Sequence, residues 1–187
     1  MRPSRRPADP LAAWSKAQRV IHWTIAALIA LAFGIGLYMV GLPFRELLQK
    51  FLLYQVHKTI GISVLALALT QIVLHARRGR PARDADLPHW QSQAAAVVHL
   101  LLFTLIIATP LFGYLTAATA PAKVPTLFLG VIPIPHIVGT SRFWFAILRR
   151  VHLALAVVLV SLACAHALAA LDHHRKGRRT LIAMWRG

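Results

Sequence analysis

Ten histidines occur in this 187-residue chain, and several fall inside long apolar runs. An imidazole in hydrocarbon costs free energy unless it has a partner, so each is a candidate for ligation or hydrogen bonding. His152 and His166 are fourteen residues apart in one such run. On a helix that spacing returns to within about 40° of the same face and separates the two by about 21 Å along the axis. One helix would thus present two imidazoles on one side, one towards each end. That arrangement suits two stacked haems, each taking one axial ligand from the helix.

Elements able to position these side chains follow from hydropathy. The mean hydropathy is +0.62, with 58% hydrophobic and 14% charged residues, well above a soluble domain. A helix needs about 20 apolar residues to cross the hydrocarbon. Four windows qualify: 21–40, 55–75, 95–118 and 148–171. Pro110 lies inside the third and is expected to kink it, which membrane helices tolerate. The expected fold class is all-α, an integral membrane four-helix bundle forming a single domain over residues 1–187. Residues 125–139 are apolar but too short and proline-broken to span, and are expected as an irregular loop packed over the bundle mouth at the outer interface. An ordinary hydrophobic loop is the alternative.

Lys and Arg set the direction. Arg2, Arg5, Arg6, Lys16, Arg19, Arg77, Arg78, Arg80, Arg83, Arg175, Lys176, Arg178, Arg179 and Arg186 fall on one side, and Arg45, Lys50, Lys58, Lys123, Arg142, Arg149 and Arg150 on the other. The positive-inside rule puts both termini in the cytoplasm. His22 opens the first span and His166 lies late in the fourth, both near the cytoplasmic face. His57 opens the second span and His152 the fourth, both near the outer face. Two pairs emerge, His22 with His166 and His57 with His152. Bis-histidine ligation saturates an iron and favours electron transfer over oxygen binding. Gly61, one turn after His57, would let a flat macrocycle approach the backbone. Gly34 and Gly113 are weaker candidates for the same role. The alternative for any one of these histidines is a hydrogen bond to a neighbouring helix.

His99, near the cytoplasmic start of the third span, competes with His22 for His166, or else meets a haem propionate or lines a quinone pocket. His75 and His89 flank the cytoplasmic connection and read as solvated or near a propionate. His136 lies in the outer loop. His173 and His174 sit in a basic interfacial cluster with Arg175 and Lys176.

The net charge of +16 could suggest nucleic acid, but the basic residues cluster between apolar runs, no soluble basic face exists, and no nucleic-acid partner is expected. Cys164 is the single cysteine. It excludes a disulfide within the chain, and without a C-x-x-C-H motif any haem is held without thioether links. The first apolar stretch is long and lacks a small-residue cleavage site after it, so it reads as a retained span rather than a signal peptide.

Several pieces together resemble the bacterial cytochrome b561 family of small di-haem inner-membrane proteins. They are AQRVIHW from Ala17 to Trp23, HKTIGIS from His57 to Ser63, the stretch around His99 and TPLFGY from Thr109 to Tyr114, LFLG from Leu127 to Gly130 with Ile132 and Pro133, and the His152 to His166 spacing. The resemblance covers roughly residues 14–185. It implies two haem b groups with His22, His57, His152 and His166 as axial ligands, a bacterial inner-membrane location, and transmembrane electron transfer linked to ubiquinone. Superoxide oxidation at the outer face, coupled to quinone reduction, is among the activities it suggests. One departure stands out: where the family tends to have an arginine fourteen residues after the second-span histidine, this chain has Gln71, and His75 or Arg77 would have to substitute.

The expected function is therefore electron transfer between an outer-face donor and the quinone pool, or the reverse. Lys58, Arg149 and Arg150 near the outer pair would steer an anionic donor, or else anchor helix ends or meet propionates. Three rivals remain. The chain is a membrane cytochrome subunit accepting electrons from a partner dehydrogenase, a metal transporter, or an assembly protein whose histidines only pack. No acidic residue lies inside any span, which argues against cation conduction.

Overall fold

The computed structural model describes residues 14–78, 88–178 and 180–185. Arg2, Arg5, Arg6, Arg80, Arg83, Arg179 and Arg186, counted above towards one side, lie outside the described residues. Four long helices dominate: α1 (Lys16–Gly41), α2 (Leu47–Arg78), α3 (His89–Thr119) and α4 (Arg142–Arg175). A single 3-10 turn, Phe44–Glu46, leads into α2. Strands β1 (Thr126–Phe128) and β2 (Ile132–Ile134) stand between α3 and α4, and a short α5 (Thr180–Trp185) follows.

Local sequence explains where the helices begin. Ser15 caps α1: its hydroxyl accepts from Gln18 N at 3.3 Å, and Gln18 Oε1 accepts from Ser15 N at 3.0 Å. This reciprocal pair satisfies two amides with no intrahelical partner. Ser141 caps α4 by accepting from Trp144 N. Thr104, Thr116 and Thr119 return their hydroxyls to carbonyls three or four residues earlier in α3, which satisfies polar groups where lipid offers none. The chain stays one helix through Pro110.

At 26 to 34 residues these helices are about 39 to 51 Å long, longer than the hydrocarbon thickness of about 30 Å. All four are long and apolar enough to cross a membrane. They exceed the apolar windows because their ends continue into interfacial sequence. α2, for instance, starts at Leu47, two turns before the window at 55. Large apolar side chains such as Leu31, Leu69, Leu100, Leu153 and Leu168 are exposed, as a lipid-facing surface requires.

α1 packs on α2 and α3 on α4 as the closest neighbours; α2 joins the two halves through α3, and α1 touches α4 more lightly. The buried apolar cluster lies on the α1–α2 seam, where Ile25, Ile60, Val64 and Ala68 meet, with Ile106 and Ile107 of α3 packed against it. The start of α1 and the end of the chain share one end of the bundle. There Trp23 Nε1 donates to Met184 O at 3.0 Å, Arg19 Nη1 donates to Trp185 O at 3.1 Å, and the rings of Trp23 and Trp185 meet edge to face. This is called the terminal end below, and the opposite one the hairpin end.

The segment expected as an irregular loop is instead an antiparallel hairpin, pairing Thr126 with Ile134 and Phe128 with Ile132. The turn closes because Leu129 and Gly130 both take left-handed φ, 54° and 76°. Glycine adopts that region freely and leucine rarely. Thr59 of α2 holds the unusual Leu129 by accepting from its amide at 3.1 Å. Gln55, buried near the start of α2, donates to Pro125 O at 2.9 Å and accepts from Leu127 N at 3.0 Å. Lys58 Nζ donates to Pro125 O at 3.0 Å, so it fastens the hairpin as well as carrying charge. From α3, Tyr114 donates to Pro135 O and accepts from Ile137 N. The hairpin is thereby tied across the mouth between α2 and α3.

Candidate functional site

Antiparallel neighbours bring residues far apart in sequence to one depth. At the hairpin end, His57 from α2 faces His152 from α4, with ring centres 6.1 Å apart. At the terminal end, His22 from α1 faces His166 from α4 at 6.5 Å. The ring of His99 from α3 also lies near His166, at 5.1 Å. α4 thus contributes one histidine to each end. His22, His57, His152 and His166 are all half-buried, whereas His99 is exposed and hydrogen-bonds through Nδ1 to Ala95 O of its own helix at 2.6 Å.

The hairpin-end rings are fixed by backbone. His57 Nδ1 lies 3.0 Å from Ala32 O of α1, and His152 Nδ1 lies 3.0 Å from Thr109 O of α3. A carbonyl can only accept, so each Nδ1 carries a proton, which in the neutral ring leaves Nε2 its lone pair. This is the tautomer and the outer hydrogen bond that metal-ligating histidines commonly have. A narrow cavity of about 70 Å³ between the two rings is lined by Phe33, Gly61, Val64, Pro110 and other apolar residues.

Two imidazoles on opposite sides of one metal, each nitrogen about 2 Å from it and about 1 Å from its own ring centre, have centres about 6 Å apart. The separations of 6.1 and 6.5 Å fit; the 5.1 Å of His99 and His166 is too short for that arrangement. The cavity accommodates only part of a macrocycle. The rest would lie in the interhelical clefts, which the half-buried state of all four histidines leaves accessible. Paired neutral imidazoles and an apolar lining are chemically suited to haem. Among the described residues no three His, Cys, Asp or Glu side chains converge to hold an ion.

The remaining candidates fall as follows. Gly61 lines the hairpin-end cavity, against Pro110. Gly34 is exposed, with open space where a Cβ would stand. Gly36, which sequence reading passed over, meets His57, and Gly113 meets His152. The signal for Gly36 was depth, since it lies near the end of α1 that approaches the start of α2. His75 is half-buried, its ring tilted against that of Trp14 and edge-on to that of Phe103, and it lines a cavity of about 420 Å³ with Ile72, Ala76, Ala96, Leu100 and Phe103. Gln71 is buried; its Nε2 donates to Gln18 O and lies 3.3 Å from His75 Nε2. The residue that departs from the resemblance thus sits directly beside His75. His136 is held by Thr126 Oγ1 at 3.0 Å, and Arg178 reaches His173. Arg149, Arg150, His89 and His174 are exposed.

Comparison with known proteins accords with this arrangement. The chain is similar to cytochrome b561 homolog 1 of Escherichia coli (strain K12), 28% identical over 161 residues, which is 86% of this chain and 89% of that protein. It is also similar to cytochrome b561 homolog 2 of the same organism, 27% identical over 154 residues, 82% of this chain and 80% of that one. The sequence profile of prokaryotic cytochrome b561 matches residues 13–187. With four apolar helices around paired histidines, the chain belongs to the prokaryotic cytochrome b561 family, as a multi-pass bacterial membrane protein that binds haem b and transfers electrons.

Proposed function

We propose that the chain is a single domain holding two haem b groups, one between His57 and His152 and one between His22 and His166. In this reading it links an electron donor on the outer face of the bacterial inner membrane to the quinone pool. The observation that carries the reading is the pair of ring separations, 6.1 and 6.5 Å, at the two ends of one bundle. The excess of Lys and Arg on the side of the termini supports a cytoplasmic terminal end and an outward hairpin.

The histidines of each pair would hold a haem b, which would supply a one-electron iron couple. The protein's own groups do the rest. Ala32 O and Thr109 O hold the hairpin-end imidazoles in one tautomer. Phe33, Val64 and Pro110 keep the space between them apolar, and Gly61 leaves room along α2. The hairpin, tied down by Gln55, Lys58 and Tyr114, limits access of water from its end. Arg149 and Arg150, exposed beside His152 in sequence, provide positive charge for an anionic donor such as superoxide. The cavity beside His75, about 420 Å³, is the size of a small-molecule site and offers one imidazole in an apolar wall. That supports a quinone there, with His99 a further contact to a propionate or to the quinone.

The test is a visible spectrum of purified protein, oxidised and then reduced, with haem quantified per chain, followed by reduction of a ubiquinone analogue in proteoliposomes. Two b-type haems per chain and quinone-dependent reoxidation are expected; one haem or none would sink the proposal. Exposed apolar residues at the hairpin end, Val131, Ile137 and Phe143, favour a second reading in which a partner dehydrogenase covers this face. Co-purification of such a partner, with no reaction of the isolated chain with superoxide, would select it.

A further inference from the structure

The two hydrogen bonds at the hairpin end are built alike. Each joins an imidazole Nδ1 to a backbone carbonyl of the preceding helix, and in each case the residue four positions after that carbonyl is glycine. Ala32 O, which His57 meets, is followed by Gly36; Thr109 O, which His152 meets, is followed by Gly113. The geometry has a cause. A helical carbonyl points along the axis at the amide of residue i+4. A second donor approaching from the side must therefore pass over the flank of that residue, where a Cβ would stand.

The distances bear this out. A Cβ at Gly36 would lie 3.2 Å from His57 Cε1 and 3.6 Å from its Nδ1. At Gly113 it would lie 2.9 Å from His152 Cε1, 3.2 Å from Nδ1 and 3.5 Å from Nε2. Gly34, two residues away from Gly36, meets nothing within 4 Å, and Gly61 meets only Pro110 Cβ at 3.8 Å. Among the described residues no glycine stands in this way against His22, His99 or His166.

We propose that Gly36 and Gly113 are positioning residues, paired notches that let His57 and His152 reach a backbone carbonyl and so turn Nε2 of both towards a shared metal. The inference rests on the reading that these two histidines are axial ligands. Its consequence is electronic as well as steric. An imidazole that donates Nδ1–H to a carbonyl is a more basic ligand and stabilises the oxidised metal. Alanine in either notch pushes the ring off its acceptor and removes that bias at the hairpin end only. A glycine with no such task behaves oppositely, since alanine strengthens a helix.

The experiment uses full-length wild type, Gly36→Ala, Gly113→Ala, Gly34→Ala and His57→Ala in detergent. It measures haem per chain, the spectrum of each haem and a potentiometric titration resolving two components. We expect Gly36→Ala and Gly113→Ala to shift one component to more positive potential and alter its spectrum, with the larger change for Gly113→Ala and the other component unmoved. Gly34→Ala should match wild type. If Gly113→Ala does not accumulate, Gly36→Ala, with its longer contact, decides. Loss of one haem in His57→Ala beside glycine variants that titrate as wild type would overturn the notches alone. A His57→Ala protein that kept both haems would overturn the ligand reading and the notches together.

Discussion

The ring of His166 lies 5.1 Å from that of His99 and 6.5 Å from that of His22, so its nearer neighbour is spaced for ring contact and its farther one for sharing a metal. Proximity by itself would favour His99. The separation required by a metal between two imidazoles, about 6 Å, favours His22. His99 is further committed to Ala95 O within its own helix.

His22→Ala should therefore lower haem content from about two per chain to about one, as a single absent axial ligand uncouples one site. His99→Ala should keep both haems. Pyridine haemochrome quantification against protein concentration checks this, and the reverse result would exchange the roles of the two residues.

Gln55→Ala should loosen the hairpin. The side chain is buried and bonds Pro125 O and Leu127 N, and orphaning such groups costs about 1–3 kcal/mol. Hydrogen exchange at the Leu127 amide should quicken by roughly tenfold or more, while exchange in the middle of α4 stays unchanged. Equal acceleration throughout would mean a global rather than a local effect.

The hairpin should also respond to pH through His136, whose Nε2 faces Thr126 Oγ1. Burial first, and the nearby Lys58 ammonium second, hold its pKa below the ordinary 6.5. The folded chain favours the neutral ring, so the unfolded segment binds more protons just below that value. The contribution is therefore complete above the ordinary imidazole pKa and is lost as pH falls below it. Exchange of the hairpin amides, corrected for intrinsic rates, should rise between neutral and mildly acidic pH in wild type and stay flat in His136→Gln. A matching rise in the variant would assign the effect elsewhere.

Replacing Arg149 and Arg150 with Gln should slow the reaction with an anionic donor by roughly three- to tenfold at low ionic strength and hardly at all in high salt. Stopped-flow rates against salt concentration separate this from a structural defect, which salt would not relieve. Both side chains are exposed, so the bundle should remain intact.

Much of this architecture is legible in sequence because hydrocarbon imposes a simple rule: long apolar runs must be helices. The windows around His22, His57, His99 and His152 to His166 mark all four spans, and alternating direction is enough to place His22 level with His166 and His57 level with His152. Helix ends are less legible. Leu47 to Tyr54 is helical although Gln49 and Lys50 interrupt its apolar character, since polar residues at the interface do not break a helix. The hairpin was hidden because Pro125, Pro133 and Pro135 mask a short alternating pattern, and its closure depends on Thr59, seventy residues from Leu129. Side-chain environment was hidden as well. Nothing local to His75 shows that the rings of Trp14 and Phe103 lie against it, and nothing local to Gly36 shows that His57 lies against it.

On α4, His152 faces His57 while His166 faces His22. One residue inserted between them would swing one imidazole about 100° relative to the other. A change of seven residues, about 10.5 Å of rise, is the smallest that brings their phase back to within about 20°. The stretch between 152 and 166 is therefore a fixed gauge. When the bilayer thickens or thins, the mismatch has to be absorbed by tilt or by the overhanging ends of α4, residues 142–151 and 167–175. Those overhangs are where relatives in membranes of different thickness should differ in length.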